Sequence, residues 1–177
     1  RLIKFLLSIF IIFSISQKIS AASIAVVDIE VLIDNNLQYQ NTIKELENEQ
    51  KQYSSILNSR ELQLEKLLQN INESKILLNS NEIDKLINEY NNEYNLFSLE
   101  VERFNSHYKE QIFLIRKKIL EEIIVLVENY ANRNKIEIVL DTNNYIIASN
   151  ELNITDIIQK NLNEINFIFE INDFETD

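Results

Sequence analysis

The feature that most constrains this chain is an apolar stripe that recurs at alternating steps of four and three. It runs through Tyr39, Ile43, Leu46, Gln50, Tyr53, Leu57, Arg60, Leu64, Leu67, Ile71, Ser74 and Leu78, and nine of these twelve positions are apolar. A second run follows at Ile83, Ile87, Tyr90, Tyr94, Phe97, Val101, Phe104 and Tyr108. A 3.5-residue repeat keeps one side of a helix facing a partner helix. Lys, Glu, Gln and Asn fill the positions between and form a solvated face. The stripe breaks at "NSNEID", residues 79–84, where Asn81 is suited to cap a new helix. The pattern predicts an antiparallel helical hairpin with its tip at 79–82, which brings Tyr39 beside Leu120. At 1.5 Å per residue the first helix is about 60 Å long. Gln50 and Arg60 place polar groups on the seam, where they fix register or loosen the arm. Beyond Val101 the spacing relaxes, with Val101, Ile112 and Ile123 eleven apart, a period that favours straight packing. The chain has no Gly and no Pro, which suits long elements and few tight turns.

Short β signals flank this arm. "SIAVVD", residues 23–28, predicts a strand, and "IEVLIDNN" about two helical turns. The long helix is expected to end in "ANRNK", with Asn132 or Asn134 in the left-handed position. "IEIVLD" (136–141) and "YIIAS" (145–149) predict a hairpin joined by "TNN". "NITDIIQKNLNEI" predicts a closing helix capped by Asn153, with Ile154, Ile157, Ile158, Leu162 and Ile165 on its apolar face. Three short strands leave open edges, and a two-helix arm has one seam. Strands of several copies are therefore expected to close on one another through Ile24, Val26, Ile136, Ile138, Leu140, Tyr145 and Ile147. The fold class that follows is α+β, mostly α. A coiled-coil arm, residues 38–119, stands on a small β-containing body, residues 23–37 and 120–166, followed by a tail at 167–177.

Arg1 and Lys4, an apolar run from Phe5 to Ile15, and Ser20-Ala21-Ala22 predict a secretory signal peptide, residues 1–22. Eleven apolar residues fall short of the roughly 20 that span a bilayer. All 28 acidic residues lie after the expected cut, with 14 of the 17 basic ones, so the mature chain carries a net charge of −14. Such a surface repels nucleic acid and anionic membranes. There is no Cys and a single His, which excludes disulfides, thiolate metal sites and His clusters. Near Asn143 and Asn144 the spaced acidic loop of a Ca²⁺ site is missing. Acidic pairs such as Glu121 and Glu122 lack a pocket to shift them, so neither an enzyme nor a cofactor is expected. His107 reads as a helix-surface residue, and the aromatic run from Tyr90 to Tyr108 as core filling.

With these residues on the page, the chain resembles the Skp/OmpH family of periplasmic chaperones. The resemblance is carried by "IAVVDIEVLIDNN", the long polar coiled coil, and "IEIVLDTNNYIIASNELNITDIIQKNLNE", and covers essentially the whole mature chain. It implies a periplasmic homotrimer whose strands form a nine-stranded barrel. Its three arms enclose a cavity for unfolded outer-membrane proteins, without ATP. Many members have basic arm tips. Here Lys66, Lys75 and Lys85 are scattered among acidic and Asn residues, which argues against lipid contact. Client contact is then expected from apolar groups off the seam: Ile56, Leu62, Leu68, Leu77, Leu86, Leu96 and Leu99, which could instead pack within the hairpin flank. The competing reading is a structural extracytoplasmic coiled-coil spacer or adaptor with one dedicated partner.

Overall fold

The computed structural model describes residues 22–174; the expected signal peptide lies almost wholly outside them. The elements are β1 (Ile24–Val27), α1 (Ile29–Asp34), α2 (Leu37–Ser74), α3 (Ser80–Asn134), β2 (Ile138–Asp141) and α4 (Thr155–Leu162), with 3₁₀ turns at Thr142–Asn144 and Asn150–Leu152.

Each long helix starts where a side chain satisfies its free amides. Asp28 Oδ1 accepts from Val31 N at 3.0 Å for α1, and Asn36 Oδ1 accepts from Tyr39 N at 2.9 Å for α2. At α3 the cap is Asn79 rather than Asn81. Glu82 lies three residues after Asn79, so the two close a reciprocal capping box, each accepting from the other's backbone N–H at 3.1 Å. The left-handed residue that ends α3 is Lys135, at φ 56°, not an Asn; Ile136 N then donates back to Ala131 O at 2.9 Å.

The two long helices pair antiparallel along the expected stripe. Leu46, Leu57, Leu64 and Ile71 of α2 are buried, as are Phe104, Tyr108, Gln111, Ile115, Ile119 and Ile123 of α3. Three expected positions differ. Tyr94, expected on the stripe and as core filling, is 49% exposed. Leu78 falls in the turn, because α2 stops at Ser74. Gln111 takes the buried position next to exposed Ile112, so the eleven-residue spacing runs through Tyr108 and Ile119 instead. The polar seam residue Arg60 is paired: Glu100 binds its guanidinium and also accepts from Tyr53 Oη at 2.5 Å.

The body departs from the expected hairpin. β1 and β2 are parallel neighbours, with Ile24 opposite Ile138 and Val27 opposite Asp141, and the whole arm is the crossover between them. Parallel strands require a long connection, and here it is the functional arm itself. Ala25, Val27 and Val139 face the helices, where Leu32, Ile33, Ile119, Ile123, Ile154, Ile158 and Leu162 make one core. Residues 145–149 form no strand with any other described residue. Instead the chain crosses through two 3₁₀ turns and Asn153 bridges to Val26. α4 begins at Thr155, one residue later than expected, with Ile154 at its cap; Asn153 Oδ1 still accepts from Thr155 N at 2.9 Å. Asp141 ties β2 to α1. Burial works to raise its pKa, but hydrogen bonds from the Ile29 amide, the Asn143 side chain and nearby amides outweigh it and hold the carboxyl below 3.8.

Two outcomes follow. Ile119, fully buried where arm and body meet, is expected to cost about 3 kcal/mol as Ile119→Ala, against less than ~0.5 kcal/mol for exposed Leu77→Ala; urea unfolding followed by circular dichroism measures both. Tyr53 is pushed up from 10.0 to about 12 by burial and its bond to Glu100. A raised folded value gives stability that is complete below pH 10 and lost between 10 and 12. Tyr53→Phe is expected to remove that part of the alkaline loss in a pH titration of helix content.

Candidate functional site

Three surfaces of the protomer are built for contact. The first is the outer face of the sheet. Strand side chains alternate, so Ile24, Val26, Ile138 and Leu140 share the face turned from the helical core. Ile24 and Ile138 are exposed, Leu140 is half-buried and Val26 is buried. Beside them Ile146 stands out fully and Ile147 is 88% exposed. Tyr145 is half-buried, and Ile136 packs on the helical core instead. β2 has no neighbour on its far edge among the described residues. The β1 edge is partly closed by Asn153 and by Ile154 N donating to Val26 O at 2.9 Å.

The second surface is on the arm. Ile56, Leu62, Leu68, Leu77, Leu96 and Leu99 are exposed, while Leu86 is half-buried toward the seam. Those on α2 point to different sides and make no common patch. Leu96 and Leu99, in contrast, join residues that the sequence reading did not select. At 100° per residue, Leu99, Phe113 and Ile124 fall within about 40° of one another, and Leu96, Leu114 and Val125 within about 20°. All six are exposed, Phe113 at 63%. They make three apolar patches spread over about 43 Å on the side turned away from α2, with Arg103, Ser106, Glu110, Lys117 and Glu121 between them on that side. The signal was present in "IFLIRKKILEEIIVLV", which is too apolar for a helix with a single buried face. At the tip Ile76 and Leu77 are also exposed.

The third surface lies at the root of the arm, and the tail sits in it. Residues 167–174 run extended along the groove between α2 and α3, from the body toward the tip. Phe167, Phe169, Ile171 and Phe174 turn inward, and Ile168 and Glu170 outward. Phe174 meets Tyr53, Phe104 and His107 at ring distances of 4.8, 5.7 and 5.4 Å. Gln38 brackets the tail's start, accepting from Phe167 N at 2.6 Å and donating to Ile165 O at 3.2 Å. Lys118 donates to Ile168 O. Further up, His107 Nε2 donates to Asn172 O at 2.9 Å, and Gln111 Oε1 accepts from Asn172 N at 3.2 Å. Glu49 Oε1 accepts from both Tyr108 Oη at 2.9 Å and Phe174 N at 3.3 Å. Burial and the Glu49 bond push the Tyr108 phenol far up. His107 is thus a tail contact rather than a bare surface residue.

Among the described residues no group of three His, Asp or Glu could hold a metal ion, and no helix is long and apolar enough to cross a membrane.

A family model described as "Outer membrane protein (OmpH-like)" matches residues 23–162. The chain is similar to the chaperone protein Skp of Yersinia enterocolitica, 25% identical over 145 residues that make up 82% of this chain and 88% of that protein. Its fold is similar to the crystal structure of an OmpH-like outer membrane chaperone from Caulobacter crescentus, with a TM-score of 0.68 at 12% identity, covering 85% of this chain and 92% of that one. With most of its length matched, the chain belongs to the Skp/OmpH family, whose members are chaperones and not enzymes.

Proposed function

We propose that the protein is an ATP-independent periplasmic holdase. Three copies join at the sheet, and their arms surround unfolded outer-membrane proteins. The observation that carries this reading is the pair of uncovered apolar surfaces on one protomer, one on the sheet and one along α3. At the base, Ile24, Ile138, Ile146 and Ile147 face solvent beside an unpaired strand edge. A lone protomer with such an edge is prone to pair with other chains. Closing the edges of several copies into a barrel removes the exposure, and gives residues 145–149 the strand partners they lack within one chain.

Along α3, the patches from Leu96 to Val125 offer many weak apolar contacts rather than one tight site. Multiplied over several arms, such contacts hold a flexible chain by effective concentration and leave it free to depart. The mature net charge of −14 disfavours recruitment of anionic lipid, so holding rests on apolar contact. The predicted signal peptide places the assembly outside the cytoplasm.

Two experiments test this. Light scattering on the mature chain is expected to give three times the protomer mass, and Ile138→Asp combined with Ile147→Asp to give monomers. A stable, cooperative monomer in the unsubstituted chain would overturn the assembly. In aggregation assays, several unfolded outer-membrane barrels are expected to stay soluble in its presence. The combined Leu99→Ser, Phe113→Ser and Ile124→Ser variant should lose about ten-fold in affinity, roughly the 1.4 kcal/mol that separates each decade, with its mass unchanged. Protection of no barrel at all would leave the spacer reading in its place.

A further inference from the structure

The tail resembles what the chaperone is proposed to hold. Its inward residues alternate over 167, 169 and 171, with Ile168 the one apolar residue on the outward side, and Phe174 leaves the alternation to reach the groove. Strands of membrane barrels carry the same period-two pattern, apolar toward lipid and polar toward the lumen. The groove reads this segment in a way that depends little on sequence. Gln38, Lys118, Gln111, His107 and Glu49 all bond main-chain N–H or C=O groups between Ile165 and Phe174. Main-chain groups are present in every unfolded client. Specificity is left to where the apolar side chains fall, and an aromatic nest of Tyr53, Phe104 and Tyr108 receives the last of them.

Two further observations set the tail apart from the rest of the chain. The family match ends at residue 162, before the tail begins. Gln111 is only 4% exposed, and its carbonyl oxygen accepts from the tail amide of Asn172. A buried polar group of this kind requires a partner, and the seated tail supplies it.

We infer that the groove between α2 and α3 at the arm root is a binding site for extended client segments with alternating apolar residues, and that the tail, residues 167–174, occupies it as an internal stand-in that clients displace. This rests on the holdase reading and names the segment class that reading leaves open. A tail seated in most molecules lowers the apparent affinity for a competing segment by the fraction of sites left free. It also covers the aromatic nest while no client is present.

The test uses a labelled peptide with the sequence of residues 166–174 and a second of the same composition whose alternation is broken. A mature chain ending at Asn166 is expected to capture the alternating peptide about ten-fold more tightly than the full mature chain, as for a site about 90% occupied in cis. The broken peptide should bind neither. Equal capture by both chains, or equal capture of both peptides, overturns the inference. Should the shortened chain lose helix content, full-length Phe174→Ser, which removes one anchor, takes its place with the same expectation. The chain has no Trp, so Phe174→Trp adds a single reporter. Its emission is expected to shift to the red when an unfolded outer-membrane barrel is added, and an unmoved spectrum on saturation counts against displacement. Equal protection of barrels by full and shortened chains, together with equal peptide capture, sinks the stand-in and leaves the holdase. Peptide capture without protection sinks the holdase and leaves the groove.

Discussion

A hairpin of two helices has one shared face, and everything else in this molecule answers that limit. A single seam buries one row of side chains from each helix, here about one residue per turn or two. Such an arm has no second layer to exclude water from its flanks. On α3 burial falls off toward the tip, where nothing between Ile83 and Val101 is fully buried and the dense core begins at Phe104, while on α2 the single row of Leu57, Leu64 and Ile71 stays buried. The lower arm is denser because two other elements lie against it. The body supplies α1, α4 and the sheet, and the tail supplies Phe169, Ile171 and Phe174. The aromatic nest around Phe104 is therefore a three-part core in a place where two helices alone would leave a groove.

The limit also governs the polar groups of the seam. Arg60, Tyr53 and Glu100 sit where a broader bundle would place Leu. Glu100 meets both partners at once, so the carboxylate is compensated and each donor has an acceptor. Glu49 does the same between Tyr108 and the Phe174 amide. In both cases an acidic residue of a strongly acidic chain is used as an acceptor for phenols, which keeps Tyr53 and Tyr108 neutral and oriented. The arm is thereby held by directional contacts where apolar area is scarce.

How much of this was legible in the sequence follows from how local each signal is. The arm, its tip and the pairing of Tyr39 with the Leu120 region are set by a repeat sustained over some seventy residues, which no local choice overrides. Boundaries were less secure because competing residues were equivalent in kind: Asn79 outranks Asn81 only through Glu82 three positions on, and Lys135 takes the left-handed position ahead of Asn134. The expected hairpin at 136–149 failed for a different reason. "YIIAS" has every local mark of a strand, but strand formation requires a neighbour, and within one chain the neighbour of β2 is β1. The outward patches through Phe113 and Ile124 are written in the sequence as excess apolarity, which a pattern centred on the seam does not register. The tail had no reading at all, because its partners, Gln38, Glu49, His107 and Gln111, lie sixty or more residues away and share no pattern with it.

On the proposed reading, the patches on α3 and the root groove divide their work by what each can recognise. The patches on α3 offer side-chain area alone, with no fixed donors or acceptors, so any apolar segment satisfies them weakly and in many registers. The root groove adds a ladder of main-chain partners at fixed places, so it prefers a segment that is already extended and alternates. A chain destined to become a membrane barrel presents both qualities in sequence: apolar residues everywhere, and alternation in each future strand. A general surface backed by a strand-shaped one would keep such a chain unfolded without demanding any particular sequence. On that same reading, partial contacts would also release the chain without spending a nucleotide.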